Sequence, residues 1–282
     1  MTRKRKIILL MTSMILIVVF SQAITNCSIQ NKMSDNIIVT GHRGASHYAP
    51  ENTIASVLKA LELNADRIEI DIQRTKDSVI VLSHDIDIDR TTNGKGKIID
   101  LEYSEILQYD ILYEEGNAHK IPTLEQVIQT IDGKSKLLIE IKEGNRYYPS
   151  IEKQVIDLLR KYDAMEWCII HSFHDDILVE IRKYDPNIEL HKIFLGRIPF
   201  TNIIFSPKFS NLNDPLYNSV SEFSSMYSFT DKALIKKIHN KGKKINVWTV
   251  NDAKKAQKMI EKGVDGIITD DPKLIFRETR VQ

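Results

Sequence analysis

The sequence predicts an α/β fold: a (β/α)8 TIM barrel with a small insertion after the second strand and its hairpin. Short apolar runs alternate with amphipathic segments along nearly the whole chain and count to eight strands, with helices between most of them. The chain has 282 residues and 42% hydrophobic content, ample for one large core. Barrels of this kind commonly run to about 250 residues as one domain. Polar and charged residues gather at the C-terminal ends of several strands, where such barrels keep their chemistry.

The first strand is Ile37 to Thr40. It ends in Gly41-His42-Arg43-Gly44, whose glycines permit a tight backbone. After a loop to Pro50, a helix begins near Glu51, with Ile54, Val57, Leu58 and Leu61 at helical spacing. The second strand is Arg67 to Gln73, where Ile68, Ile70 and Ile72 alternate with Glu69, Asp71 and Gln73. One face is therefore aliphatic and the other carries both acids. In a barrel the acids point inward and the isoleucines outward against helices. Thr75-Lys76-Asp77-Ser78 is a turn, and Val79 to Ser83 returns as a strand, bringing His84 back alongside Glu69 and Asp71.

Residues 86–120 are polar and turn-rich, with Thr91-Thr92-Asn93-Gly94-Lys95-Gly96 at their middle, and read as the insertion. A helix from Leu124 to Ile131 follows Pro122, and the third barrel strand, Lys136 to Ile141, leads to Glu140-Ile141-Lys142. Further strands are expected at 168–172, 188–193, 225–228, 245–250 and 266–269. Helices are expected at 150–162, 175–184, 231–240, 253–262 and 272–278. Between 196 and 224 no element is legible.

Residues 1–26 read as a signal peptide or membrane anchor. Arg3 to Lys6 form a basic run before an apolar run from Ile7 to Phe20. That run is short for a spanning helix, which needs about 20 residues. Ser21-Gln22-Ala23 offers small residues for cleavage after Ala23. Ile24-Thr25-Asn26-Cys27 also resembles the lipobox of bacterial lipoproteins, with Asn26 departing from the small residue usual there. Secretion, lipidation at Cys27 and an uncleaved anchor all stay open. Each places the folded domain, 37–282, outside the cytoplasm, behind a polar linker at 27–36. Without the four N-terminal bases the chain carries 35 Lys+Arg against 38 Asp+Glu, which gives no electrostatic case for nucleic acid. Cys168, in the apolar run Trp167-Cys168-Ile169-Ile170, reads as a buried core thiol rather than half of a disulfide.

His42 and Arg43 follow the first strand, and Glu69 and Asp71 lie late in the second. Glu140 and Lys142 end the third, His171 and Ser172 the fourth, and Trp248 lies late in the seventh. A lone histidine near a strand end is more often structural than catalytic. Two of them flanking an inward acid pair shift the balance to function. The set supplies two acid/base groups, an anion-binding cation and oxygen ligands, which suits phosphate-ester hydrolysis assisted by a hard metal ion. Taken alone, Glu140 with Lys142 reads as a solvated ion pair, and Trp248 as a rim or core aromatic. His47, His119, His174, His191 and His239 read as surface or packing residues.

His42-Arg43-Gly44, Pro50-Glu51-Asn52-Thr53, Glu69-x-Asp71-x-Gln73-x-Thr75-Lys76-Asp77 and His84-Asp85 closely resemble the glycerophosphodiester phosphodiesterases. So do Asp89-Arg90-Thr91-Thr92, Ile121-Pro122-Thr123-Leu124-Glu125, Glu140-x-Lys142, Val247-Trp248-Thr249-Val250-Asn251 and Thr269-Asp270-Asp271-Pro272. The resemblance implies a (β/α)8 barrel with a small insertion after the second histidine motif. It implies His42 and His84 as the general acid/base pair. It further implies Glu69, Asp71 and Glu140 as ligands of one divalent cation, Ca2+ or Mg2+, and Arg43 and Lys142 at the phosphate. Ser78 departs from the family, which usually has Gly in that turn.

The expected reaction is hydrolysis of a small glycerophosphodiester to glycerol 3-phosphate and an alcohol, with His42 as base and His84 protonating the leaving alcohol or the two roles exchanged, and with either water or a substrate hydroxyl, by way of a cyclic phosphate, as the attacking group. The same site on a membrane-proximal domain also suits a lysophospholipid, in a phospholipase D-like reaction, or a glycerophosphate polymer. A non-catalytic, surface-tethered binding protein is the reading from another class. A glycoside hydrolase fits poorly, because Glu69 and Asp71 share one face two residues apart instead of flanking a sugar.

Overall fold

The computed structural model describes residues 37–113, 118–197, 204–205 and 212–279. The readings made for residues 1–36 lie outside the described residues. Strands β1 (Ile38–Gly41) and β2 (Arg67–Arg74) are joined by α1 (Ile54–Glu62), and β3 (Ile80–Leu82) returns antiparallel on β2. The insertion carries α2 (Tyr103–Ile106) and is followed by α3 (Leu124–Ile131) and β4 (Lys136–Ile141). Then come α4 (Ile151–Lys161), β5 (Cys168–Ser172), α5 (Asp175–Tyr184) and β6 (Glu189–Phe194). A small hairpin of β7 (Gly196–Arg197) and β8 (Ile204–Phe205) precedes β9 (Glu222–Met226). The chain closes with α6 (Lys232–His239), β10 (Lys244–Trp248), α7 (Ala253–Lys262), β11 (Gly266–Thr269) and α8 (Pro272–Thr279).

Eight of these strands, β1, β2, β4, β5, β6, β9, β10 and β11, pair in parallel around a closed ring. The ring closes through Ile38↔Gly266 on one side of β1 and Thr40↔Arg67 on the other. The fold is a (β/α)8 barrel, as the alternation of elements predicts. The period-2 pattern of β2 does what it implies: Ile68, Ile70 and Ile72 are fully buried in the layer between strands and helices, while Glu69 and Asp71 face the barrel interior. Cys168 is buried and free, as expected.

The structure corrects three expectations. Helix α1 begins at Ile54, not near Glu51, because Thr53 and Ser56 form a capping box while Asn52 takes a left-handed φ of 54°. The sixth barrel strand begins at Glu222, three residues before the expected Ser225, and gives way to a short 3-10 turn at Tyr227–Phe229. Its inward face is polar, with Glu222 and Ser224 buried, so hydrophobic periodicity misses it. The insertion is also more than a polar loop. Val81, Ile88, Ile98, Ile106, Ile111 and Ile121 form a small core of their own beneath it.

The N-terminal end of the barrel is closed by ion pairs. Arg67 meets Glu222 through two bonds of 2.6 and 2.8 Å, and Asn246 Nδ2 donates to the same carboxylate at 2.8 Å. His191 lies fully buried beside them, 3.0 Å from Glu189. The readings of His191 as a packing residue and of Arg67 as part of the second strand both hold. The unread stretch 196–224 contains β7, β8 and a 3-10 turn at Pro215–Asn218; residues 198–203 and 206–211 lie outside the described residues.

Candidate active site

The chain leaves β1 at Gly41 and turns sharply. Arg43 sits at φ 55° and Gly44 at φ 83°, and a Cβ on Gly44 would lie 2.5 Å from the Ser56 backbone carbon. Only glycine fits so close to α1. The turn aims the Arg43 backbone N–H at Glu69 Oε2, 2.8 Å away, and sends the His42 ring over the barrel mouth. On the other side, the β2–β3 hairpin holds Ser83 N on the Asp71 carbonyl at 3.1 Å and so carries His84 to the same mouth. Glu140 and Lys142 arrive from the end of β4, whose register sets Asp71 opposite Glu140. A cavity of about 100 Å³ results, lined by His42, Arg43, Glu69, Asp71, His84, Glu140 and Lys142 together with His171, Phe173 and Trp248. All seven site residues expected from the sequence therefore meet in one cavity.

The carboxylates of Glu69, Asp71 and Glu140 place ligand oxygens within 4.8 Å of one another, and all three are buried. Asn52 fixes the middle one, donating from Nδ2 to Asp71 Oδ2 and accepting from Asp71 N, each at 3.0 Å. Lys142 Nζ bridges Glu140 at 2.8 Å and Asp71 at 3.3 Å, and Arg43 Nε lies 3.2 Å from Asp71. Burial pushes upward on all three carboxyl pKa values, mutual repulsion adds to this at Glu69 and Glu140, and the net shift is upward only for those two. Glu69 is pushed well above the carboxylate range by burial, Asp71 and Glu140. Glu140 is pushed up to about 7, chiefly by burial, with Asp71 adding and Lys142 opposing. At Asp71 the nearby Lys142 and Arg43 outweigh burial and hold the carboxyl down. Three buried carboxylates face two cations, one of them shared with Glu51, and a hard divalent ion fits that all-oxygen, electron-rich set.

Each histidine is oriented by a carboxylate on its Nδ1. His42 Nδ1 lies 2.6 Å from Asp270 Oδ1, and His84 Nδ1 lies 2.7 Å from Asp85 Oδ1. A carboxylate accepts, so each Nδ1 carries the hydrogen and each Nε2 is free for chemistry. The two carboxylates differ. Asp85 is shared with Arg90 Nε at 2.6 Å, and Arg90 in turn clasps Glu51 at 2.7 and 3.0 Å. Glu51 completes the chain to Arg43 at 2.8 Å. Asp270 takes side-chain hydrogen bonds from His42, Ser46 and Asn251, and no Lys or Arg among the described residues pairs with it. Burial lowers the His84 pKa, with Lys142 and Arg43 adding to the effect.

Sequence reasoning gave no role to Asp270, Asp85, Arg90, Glu51 or Asn52, although each stands inside a motif that it singled out. Their roles depend on contacts across 5 to 228 positions, as in Arg90–Asp85 and His42–Asp270. Asp85 is the exception, adjacent to the histidine it orients, and the His84-Asp85 pair was the one local signal. Trp248 does line the cavity, edge-on to Phe173 with ring centres 5.7 Å apart.

Comparison with known proteins agrees with this geometry. A sequence model of the glycerophosphoryl diester phosphodiesterase family matches residues 42–274. A glycerophosphodiester phosphodiesterase of Caldanaerobacter subterraneus subsp. tengcongensis is 36% identical over 248 residues, covering 86% of this chain and 98% of the relative. One from Bacillus altitudinis is 32% identical over 239 residues, covering 83% and 94%. Among solved structures, a glycerophosphodiester phosphodiesterase from Parabacteroides distasonis superposes with a TM-score of 0.71 at 26% identity, covering 86% of this chain and 96% of that one. An Oleispira antarctica phosphodiesterase in complex with the product sn-glycerol-3-phosphate shares the fold, with a TM-score of 0.72 at 24% identity and coverage of 85% and 95%. By the extent of these matches and the residues they span, the chain belongs to the glycerophosphoryl diester phosphodiesterase family.

Proposed function

We propose that this chain hydrolyses small glycerophosphodiesters to sn-glycerol 3-phosphate and an alcohol, using His42 and His84 as a paired acid and base beside a divalent cation held by Glu69, Asp71 and Glu140. The observation that carries the reading is the common cavity, where two carboxylate-oriented imidazoles face three buried acids across about 100 Å³. Relatives named as glycerophosphodiester phosphodiesterases, and a product-bound structure of the same fold, support the substrate class.

A phosphodiester carries one negative charge and gains more in the transition state. Arg43 and Lys142 stand at the cavity wall to offset that charge. The bound cation would add Lewis-acid stabilisation of the phosphoryl oxygens. His42 suits the base, because Asp270, with its charge undiluted by a cation, stabilises the imidazolium that forms. His84 suits the acid, because burial and the nearby Lys142 and Arg43 make its protonated form a strong donor to the leaving alcohol. The small cavity with its charged wall favours deacylated diesters over lipids. Ca2+ and Mg2+ both fit the oxygen ligands.

The test is release of glycerol 3-phosphate from glycerophosphocholine after chelation, with Ca2+ or Mg2+ added back, beside the His42→Ala variant. Metal-dependent release that the variant loses is expected. Release that survives both chelation and His42→Ala sinks the mechanism.

We also propose export, from the basic and apolar N-terminal run. Cys27 is the residue a lipid tether would use. Membrane fractionation of wild type and Cys27→Ala tests this. An equal membrane share for both would remove lipidation, and a cytoplasmic location would remove export.

A further inference from the structure

The catalytic cavity has two unlike walls. One carries the acids, Arg43, Lys142 and His84. The rest of the lining, from His171 beside Glu140 in the strand ladder on to Phe173, Ile193, Trp248 and Ile268, is mostly apolar. Within that second wall three polar atoms have no hydrogen-bond partner among the described residues: both ring nitrogens of His171 and the indole Nε1 of Trp248. His171 is only 2% exposed. Buried polar groups are almost always paired, because leaving one unpaired costs the hydration it had in water. Two such groups in the wall of a catalytic cavity mark where a ligand completes the hydrogen bonds.

The chemistry of that ligand can be read from the wall. His171 is buried, and neither of its ring nitrogens meets a carboxylate or any other hydrogen-bond partner among the described residues, so nothing there holds a second proton on the ring. A neutral imidazole has one N–H and one lone pair. It cannot balance a phosphate charge, but it complements a hydroxyl, which both donates and accepts. The Trp248 N–H adds one donor, and its ring is fixed edge-on by Phe173. Phe173, Ile193 and Ile268 offer carbon surface between them. Small carbons bearing hydroxyls, attached to a phosphate on the charged wall, describe the glycerol end of the substrate.

We infer that His171 and the indole N–H of Trp248 read the glycerol hydroxyls, with His171 taking the one furthest from the phosphate. This rests on the proposed phosphodiester hydrolysis and assigns its specificity for glycerol to the mostly apolar part of the lining, which begins at His171 next to Glu140. The leaving alcohol then lies outward, toward the open troughs that adjoin the cavity, one beside Arg90 and Leu112 and one beside Ile86 and Leu195.

The test compares glycerophosphocholine with the phosphocholine diester of propane-1,2-diol. That diester lacks the far primary hydroxyl but keeps the hydroxyl next to the ester. In the wild type the missing hydroxyl should lower kcat/KM about tenfold or more, since it leaves His171 unpaired. In His171→Leu the ratio of kcat/KM for the glycerol diester to that for the deoxy diester should fall toward one. His171→Gln, which restores a donor and an acceptor, should recover most of the discrimination, and Trp248→Phe should weaken glycerol binding through KM while kcat is kept. Undiminished discrimination in His171→Leu overturns the inference, as does a wild type that treats both diesters alike. If His171→Leu fails to fold, an unchanged KM in Trp248→Phe overturns the indole's part. A wild type that hydrolyses neither diester, nor any other glycerophosphodiester, overturns the proposed function itself, an outcome distinct from the loss of discrimination alone.

Discussion

Asp270→Asn isolates what the carboxylate does for His42. In the structure Asp270 Oδ1 accepts from His42 Nδ1 at 2.6 Å, and Oδ2 accepts from the Asn251 amide. Asn251 Nδ2 can only donate, so an asparagine at 270 must turn its oxygen toward Asn251 and its own NH2 toward His42. His42 Nδ1 must then accept, and the ring proton moves to Nε2, the nitrogen facing the cavity. His42 would present a hydrogen where the base needs a lone pair. The charge is lost as well. A hydrogen bond to a charged group contributes about 1.5–3 kcal/mol. The two side chains are 20% and 32% exposed, so solvent screening favours the low end. Roughly 1.5–2 kcal/mol corresponds to about 10–30-fold in kcat/KM, with the tautomer penalty added to that. The assay is glycerol 3-phosphate release across pH, with the melting temperature and cation affinity as controls. Both controls should hold, because the variant keeps the shape and touches none of the three acids. A kcat/KM within about threefold of wild type, with the controls unchanged, would refute the role given to Asp270.

Three further outcomes are expected. His84→Ala should cost about 100- to 10,000-fold in turnover while cation binding, measured by calorimetry, is retained; near-normal turnover would sink the acid/base assignment. Ser78 holds a left-handed φ of 68°, so Ser78→Gly should raise the unfolding free energy by about 1 kcal/mol in a urea titration. At the closed end of the barrel, Arg67 and its companions outweigh burial and hold the Glu222 carboxyl down to about 2. A depressed carboxyl stabilises above its unfolded value, near 4.5, and that stability is lost as pH falls toward about 2. The share amounts to roughly 3 kcal/mol. Urea unfolding at pH 5 and pH 2.5 should show the drop in wild type and a smaller one in Glu222→Gln.

What was legible in the sequence follows from the range of the interactions. The β2 pattern of three isoleucines against two acids is local, and it set strand, face and direction correctly. The motifs around His42, His84 and Glu140 lie at strand ends, so the barrel topology alone gathers them. By contrast, Glu222 begins a barrel strand whose inward face is polar, because it answers Arg67 from 155 positions away. No window of neighbouring residues contains that reason. The insertion escaped for a related cause: its isoleucines lie in short apolar steps such as Ile98-Ile99 and Ile106-Leu107, scattered among polar residues, and form a core only when Val81 and Ile121 close on them. His171 was noticed at its strand end, but its unpaired nitrogens are a property of the packed cavity and not of the sequence around it.

The barrel holds two clusters whose ligand atoms lie within 4.8 Å of one another, Glu69–Asp71–Glu140 at the mouth and Glu189–His191–Glu222 at the closed end. Proximity does not separate them, but charge does. At the closed end Glu222 already has Arg67, and Glu189 has His191 and Lys136, so both carboxyls are held down. At the mouth Glu69 is driven up and Glu140 stands at about 7. At the closed end the counter-charges outweigh burial at both acids, whereas at the mouth Lys142 and Arg43 suffice only for Asp71, and burial prevails at Glu69 and Glu140. The mouth should therefore bind a divalent cation and the closed end should not. With the ion at about 100 times its Kd, binding adds about 2.7 kcal/mol, which for a domain of this size raises the melting temperature by roughly 5–10 °C. Glu140→Gln should abolish that shift and Glu189→Gln should keep it. Because Glu140 must shed a proton to serve as ligand, the shift should be larger at pH 8 than at pH 5.5. A shift that survives Glu140→Gln and vanishes in Glu189→Gln would place the ion at the wrong end of the barrel and remove the cation from the proposed chemistry.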